Sequence, residues 1–299
     1  MIPVAFDPIY VLPLPENHRF PMEKYDLLYR QLIHEGTCEP EDFFSPTPID
    51  YDSVTAIHNK VYVERLKGLK LNKPEIRKIG FPISQQLIDR EFIIAGGTLT
   101  GSLKALKDGI AFNIAGGTHH AFSSHGEAFC LLNDQAIAAQ YLLEKELAKK
   151  ILIIDLDVHQ GNGTAEIFRN EDRVFTFSMH GKKNYPFKKE KSDLDIDLED
   201  KTSDKTYINI IKEVLPKLLK NIDPDFIFYL SGVDILKSDR LGRLWVSIEG
   251  CKERDQIVLK YCHDEGIAVQ CSMGGGYSKD IKLIIEAHAN TYREAKKIY

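Results

Sequence analysis

The chain has 299 residues and 43% hydrophobic content, enough to bury a large core, and a parallel α/β unit can run to this length, so residues 1–299 read as one domain. A net charge of −5 at pH 7 with both signs interspersed leaves no basic stripe for nucleic acid and no polybasic membrane anchor. The five cysteines form no CxxC pair, no apolar run reaches the length of a membrane span, and the opening residues lack a basic-then-apolar leader, so a reducing, cytoplasmic setting is expected.

Pro3, Pro8, Pro13 and Pro15 surround Tyr10–Leu14, which reads as an edge strand. After Pro21, Tyr25, Leu28, Leu32 and Ile33 recur at helical spacing and predict an amphipathic helix over Met22–His34. Glu39–Pro48 reads as a surface loop, followed by helices over Tyr51–Lys67 and Ser84–Leu106. Gly96 and Gly97 interrupt the apolar face of the second at about 1 kcal/mol each against alanine, so close packing or a ligand is expected there.

From Gly109 onward strands and helices alternate regularly: strand Ile110–Ile114, helix Asn133–Lys149, strand Ile151–Leu156, helix Thr164–Phe168 and strand Val174–Met179. Helix Lys205–Leu219, strand Phe226–Leu230, helix Ser247–Glu265, strand Ile267–Ser272 and helix Ser278–Ala289 continue this βαβ grammar. Lys182–Lys205 is polar and reads as a long excursion over the sheet edge.

The apolar run in ILIIDLDVHQGNGT, Ile151–Thr164, leads into Asp155, Asp157 and His159, which alternate by two and so face one side of an extended backbone. Carboxylates and an imidazole facing one way suit a divalent cation, and the end of a parallel strand is where ligands sit in open α/β sheets. Asp234 in YLSGVD, just past the next apolar run, is the candidate third ligand; such a set leaves an open position for water. In GGTHHAFSSHGEAFC, His119 and His120 can divide proton transfer between them, with Asp155 and Asn162 as nearby partners for their second ring nitrogens. In SMGGGY the glycines, Gly275 among them, let backbone approach a substrate, and Tyr277 can donate to an oxyanion.

Taken in order, GGTHHA, GEAFCLLND, DLDVHQGNGT, SGVD with Asp239 and Gly242, and MGGGY resemble the zinc-dependent histone deacetylases across nearly the whole chain. HRFPMEKY, IGFP, IAGGT and EAHAN are similar to the class IV branch and its bacterial relatives. The resemblance implies the three-layer arginase-deacetylase fold, an α/β architecture with a central eight-stranded, mostly parallel sheet flanked by helices. It also implies hydrolysis of an acyl amide, on an acyl-lysine peptide or protein or on a small acylated amine, with long acyl chains within the class IV range. One zinc ion would sit on Asp157, His159 and Asp234, a donor set that also accepts Fe²⁺ or Co²⁺. His119 and His120 become the acid/base pair, Tyr277 the carbonyl-polarising residue, and Phe129 and Tyr185 walls of the acyl-lysine tunnel. A potassium ion would lie at Asp155, Asp157 and His159 with Ser178 and Met179, and an outer one around Phe168, Val174 and Tyr207.

Several positions depart from the family pattern. Asn162 stands where several class I enzymes have aspartate, so His120 should be the less basic histidine and suited to donate a proton. Ala128 replaces a glycine before the tunnel phenylalanine, adding a methyl at a narrow place, and Arg240 replaces a proline at the rim. Leu241 takes the place of an acid found in polyamine-selective relatives, leaving a cationic amine no counter-charge. A ureohydrolase of the same fold needs a second set of metal-bridging aspartates, but Gln160, Gly161 and Asn162 follow His159. A catalytically silent acyl-lysine binding module would be expected to have lost Tyr277, a histidine or a ligand.

Overall fold

The computed structural model describes residues 2–299. Its first strand is Val4–Ala5 (β1), not Tyr10–Leu14: Asp7 Oδ1 accepts from the Ile9 N–H at 2.9 Å and a 3-10 turn over Pro8–Tyr10 takes the chain off the sheet. Helix Lys24–His34 (α1) follows, and Phe43–Phe44 (β2), within the expected loop, pairs with β1. The helix expected over Tyr51–Lys67 is split into Tyr51–Thr55 (α2) and Lys60–Lys67 (α3), because Asp50 and Asn59 each cap a separate start. Lys73–Ile79 (α4) was not legible as a helix from apolar spacing, yet an Asn72–Glu75 capping box begins it and Gly80 ends it.

Gln85–Asp108 (α5) carries the two questioned glycines, and packing alone accounts for them: a Cβ on Gly96 would lie 1.9 Å from the Thr47 carbonyl oxygen, and one on Gly97 2.6 Å from the Tyr10 hydroxyl. The chain continues through Ile110–Asn113 (β3), Asp134–Glu144 (α6), Ile151–Asp155 (β4), Asn162–Ile167 (α7) and Val174–Gly181 (β5). Leu194–Leu198 (β6), Asp204–Ile222 (α8), Phe226–Leu230 (β7), Ile248–Asp264 (α9), Ala268–Ser272 (β8) and Ile281–Ile298 (α10) complete it. β6 falls inside the stretch read as an excursion. Its Leu194, Ile196 and Leu198 alternate with Asp195 and Asp197, the pattern of an edge strand with one wetted face.

All strand pairs are parallel, in the order β2-β1-β3-β8-β7-β4-β5-β6. Alternate side chains of the central strands enter two different cores: Leu152, Ile154, Ile227 and Tyr229 join one, Ile151, Ile153, Phe226 and Phe228 the other. Burial on both faces is why these strands read as continuous apolar runs. The neighbouring strands β3, β8, β7 and β4 all deliver their carboxyl ends to the same edge, so the loops after them share one cleft. The cysteines are buried and unpaired, and no helix among the described residues is long and apolar enough to cross a membrane.

Candidate active site

Beyond β4 the chain turns Asp157 and His159 toward Asp234, which follows β7. One ligand-capable atom from each of the three lies within 4.8 Å of the others, and all three residues are buried. His159 Nδ1 is 3.1 Å from both Asp157 Oδ1 and Asp234 Oδ2. The outer oxygens are held by backbone: Asp157 Oδ2 accepts from the Gly275 N–H at 2.8 Å and Asp234 Oδ1 from the Val158 N–H at 2.9 Å. Burial and the neighbouring Asp157 push Asp234 up to about 7, while on His159 the paired carboxylates outweigh burial and raise it to about 10. Two buried carboxylates and an imidazole converging in this way are a donor set that fits a divalent cation, which would neutralise both acids. Gly275 admits no side chain, since a Cβ there would stand 2.0 Å from Asp234 Oδ2.

The paired histidines stand beside this group with ring centroids 4.1 Å apart. His119 Nδ1 is 2.7 Å from Asp155 Oδ2, and although burial opposes its charge, that carboxylate keeps its pKa above the ordinary imidazole value. His120 is depressed well below that value by burial and by the charges of His119 and His159. Its Nδ1 is 2.6 Å from Asn162 Oδ1, a contact that places the proton on Nδ1 and leaves Nε2 with a free lone pair.

Behind Asn162 lies a charge that the sequence did not reveal. Asn162 Nδ2 donates to Glu127 Oε1 at 2.7 Å, the Tyr185 hydroxyl donates to the same oxygen at 2.6 Å, and Lys78 pairs with the other. Burial would raise Glu127, but bonds from His125, Lys78, Tyr185 and Asn162 hold it below the usual carboxylate range, so the polar chain from His120 ends on a buried anion. His125 belongs to this cluster, with Nε2 3.6 Å from Glu127 Oε2. An aspartate at 162 would face the Glu127 carboxylate directly.

Tyr277 is fixed through its backbone: its N–H donates to Asp239 Oδ2 at 2.6 Å, and its carbonyl accepts from Arg240 Nε at 3.0 Å. Arg240 also donates to the Arg19 carbonyl at 3.1 Å, so the residue replacing proline ties the Tyr277 loop to the N-terminal segment. Burial, then Asp157 and Asp234, keep the Tyr277 phenol well above its ordinary pKa, hence protonated and able to donate. Underneath, buried Lys24 of α1 donates to the Gly274 carbonyl at 3.1 Å and lies 5.5 Å from the Tyr277 ring centre. Burial lowers Lys24 to about 8 against the pull of Asp234 and Asp157. Fully buried Arg254 of α9 donates to the carbonyls of Gly232 (2.6 Å), Ser231 (3.1 Å) and Leu156 (3.3 Å), tying together the segments that lead to Asp234 and Asp157.

Phe129 and Tyr185 line the mouth together with Leu241, and the Tyr185 ring meets His120 edge-on at 5.2 Å. Ala128 and Phe129 both hold left-handed backbone, φ +47° and +69°, which glycine adopts without strain, and Ala128 also lines the small interior cavity, so its methyl meets a backbone demand as well as a narrow place. Bonds from Ala128 N to the Lys78 carbonyl (2.9 Å) and Phe129 N to the Ile79 carbonyl (2.7 Å) secure it. Inside, a cavity of about 40 Å³ is lined by Phe20, Phe81, Phe129 and Tyr277 together with His119, His120, Asp157 and His159, so an acyl group there would share it with the reacting groups. Strand register sets Asp155 beside Ser178, with Met179 next, three of the five residues expected around potassium; Ser178 Oγ is 2.9 Å from His180 Nδ1.

Residues 18–292 match the histone deacetylase domain. The chain is 42% identical over 297 residues to an uncharacterized protein of Picosynechococcus sp., covering 99% of each. Histone deacetylase 2 of Arabidopsis thaliana is 26% identical over 287 residues, covering 93% of this chain and 74% of that protein. The acetoin utilization protein AcuC of Staphylococcus aureus (strain MRSA252) is 30% identical over 287 residues, covering 88% and 73%. The crystal structure of the HDA15 HD domain matches with a TM-score of 0.82 at 21% identity, over 99% of this chain and 88% of that one, so the parallel sheet between helices is the arginase-deacetylase fold.

Proposed function

This chain belongs to the histone deacetylase family, and from that premise we propose that it hydrolyses the acyl amide of Nε-acyl-lysine, with zinc held by Asp157, His159 and Asp234. The observation that carries the reading is the convergence of this buried Asp-His-Asp group with His119, His120 and Tyr277 around the inner end of one narrow cleft. A bound divalent ion would supply Lewis-acid polarisation of the acyl carbonyl and of the attacking water.

His120 Nε2, neutral and unprotonated, takes the proton of the water as its oxygen bonds the acyl carbon, and returns it to the lysine nitrogen as the C–N bond breaks. His119, whose Nδ1 is 2.7 Å from Asp155 Oδ2, is the more basic of the two histidines and so the better placed to carry positive charge beside the developing oxyanion. That division differs from the one suggested by Asn162 alone, in which His120 only donates; Glu127 behind the amide favours a proton on His120 once it is taken. The Tyr277 hydroxyl donates to the carbonyl oxygen as it becomes anionic. Phe129 and Tyr185 flank the lysine stem, and potassium at Asp155, Ser178 and Met179 would steady the carboxylate that orients His119.

The interior cavity of about 40 Å³ favours a short acyl group, since a water needs roughly 10–15 Å³ on this measure. Gln160, Gly161 and Asn162 after His159 supply no further bridging aspartate of the kind ureohydrolase chemistry needs. The test is acetate release from acetyl-lysine peptides against acetylspermidine, with octanoyl- and myristoyl-lysine peptides alongside. We expect the acetyl-lysine peptide to exceed acetylspermidine about tenfold or more in kcat/KM, equivalent to ~1.4 kcal/mol, and to exceed the myristoyl peptide. A preference for acetylspermidine overturns the lysine assignment, and a preference for myristoyl-lysine overturns the short-acyl one.

A further inference from the structure

We propose that the mouth of the cleft selects an acyl-lysine flanked by acidic residues, an inference that rests on the deacylase reading and specifies its substrate. Arg19, Lys78, Lys183 and Arg243 line the mouth, and among the described residues no carboxylate does. Lys78 is committed to Glu127, but Lys183 and Arg243 share a single acid, Asp200, at 3.8 and 3.4 Å. The Arg19 guanidinium lies over the Phe129 ring, 5.1 Å from its centroid.

The loop that carries Tyr185 strengthens the same sign. It reads Lys182, Lys183, Asn184, Tyr185, Pro186, Phe187, Lys188, Lys189, Glu190, Lys191; Lys182 is paired with Glu199 at 3.0 Å, and the loop's one acid pairs outward with Arg169. Lys189 Nζ donates to the carbonyls of Asn184 and Pro186, both at 2.6 Å, and so brings its charge back over the loop. Phe187, 90% exposed, offers an apolar contact among these lysines.

A local excess of positive charge on a chain of net charge −5 is a feature of this mouth and not of the whole surface. With the acyl-lysine stem between Phe129 and Tyr185, neighbouring substrate residues at about 3.3–3.6 Å spacing pass within reach of Arg19 at the first wall and of Lys183 and Arg243 at the second. Aspartate or glutamate there meets cations, while lysine or arginine, as in a basic tail or a polyamine, meets like charge.

The experiment compares acetyl-lysine heptapeptides that differ only in the residues on either side of the acetyl-lysine: Asp/Glu, Ser/Gly or Lys/Arg. Their kcat/KM is measured on the metal-loaded protein, with an uncharged single acetyl-lysine amide as the reference substrate. At low salt the acidic peptide should exceed the basic one by about 10-fold or more, as focused charge raises local substrate concentration. The gap should narrow in high salt. The double variant Lys183→Glu/Arg243→Glu should shrink or invert it. If the basic peptide equals or exceeds the acidic one while the uncharged amide is hydrolysed, the charge selection is wrong and the deacylase reading stands. If none of these is hydrolysed the deacylase reading fails, and fluorescence anisotropy of the labelled peptides still decides the mouth: tighter acidic binding supports it, equal or tighter basic binding overturns it.

Discussion

Tyr277→Phe is expected to lower kcat by roughly 10²–10³, the ~2.7–4 kcal/mol that one oxyanion donor contributes, while divalent metal content and substrate affinity stay unchanged. The separation follows from how the residue is held. Its backbone is fixed by Asp239 and Arg240, and its ring is packed against Phe20 at 5.9 Å and Phe129 at 6.2 Å. Phenylalanine keeps every one of these contacts and loses only the hydroxyl. Burial beside Asp157 and Asp234 keeps that hydroxyl protonated, so its one service to the reaction is as a donor. Single-turnover kinetics with metal analysis separates the cases: undiminished turnover in the variant would take Tyr277 out of the chemistry.

Arg254→Met should destabilise the fold by about 3–5 kcal/mol, the range for breaking one partner of a buried ion pair. Asp255 would keep its bonds from Tyr229 and Thr291 but lose its counter-charge, and in a place water does not reach the carbonyls of Ser231 and Gly232 would lose the guanidinium donor, while that of Leu156 would keep only the Tyr207 hydroxyl at 3.4 Å. Against a typical total of about 5–15 kcal/mol this is a large fraction. Those carbonyls lie on the segments leading to Asp234 and Asp157, so metal affinity should weaken together with stability. Urea unfolding with a parallel metal titration measures both. A loss below about 1 kcal/mol would mean that the guanidinium is replaceable there.

The parts of this protein that could be read from its sequence are those where one local rule acts alone. The Phe226–Leu230 strand is buried on both faces and therefore continuously apolar. Asp155 ends such a strand and Asp157 and His159 follow it, so the convergence of the latter two with Asp234 needed only a neighbouring strand end. Elements were missed where short strands take their identity from a partner: Val4–Ala5 and Phe43–Phe44 are each two residues long and exist because they pair. Helices α2 and α3 looked like one because apolar spacing runs across the break, and the Asn59 cap that divides them is a side-chain contact.

The supporting polar groups were the least legible. Glu127, Lys24 and Arg254 come from distant segments and meet the site through bonds such as Lys24 to Gly274, which no spacing rule anticipates. Glu127 did stand inside a motif of note, GEAFCLLND, but an acid between His125 and Phe129 carries no sign of being buried until Asn162, Tyr185 and Lys78 close over it.

The central claim, hydrolysis of acyl-lysine at a single Asp157-His159-Asp234 metal centre, is tested most directly by elemental analysis of protein purified without chelator, coupled to acetate release from an acetyl-lysine peptide. About one divalent transition metal per chain is predicted, as a mononuclear three-ligand site requires, with acetate release lost on stripping and restored by one equivalent of zinc. Undiminished acetate release from protein that carries no divalent metal would contradict it.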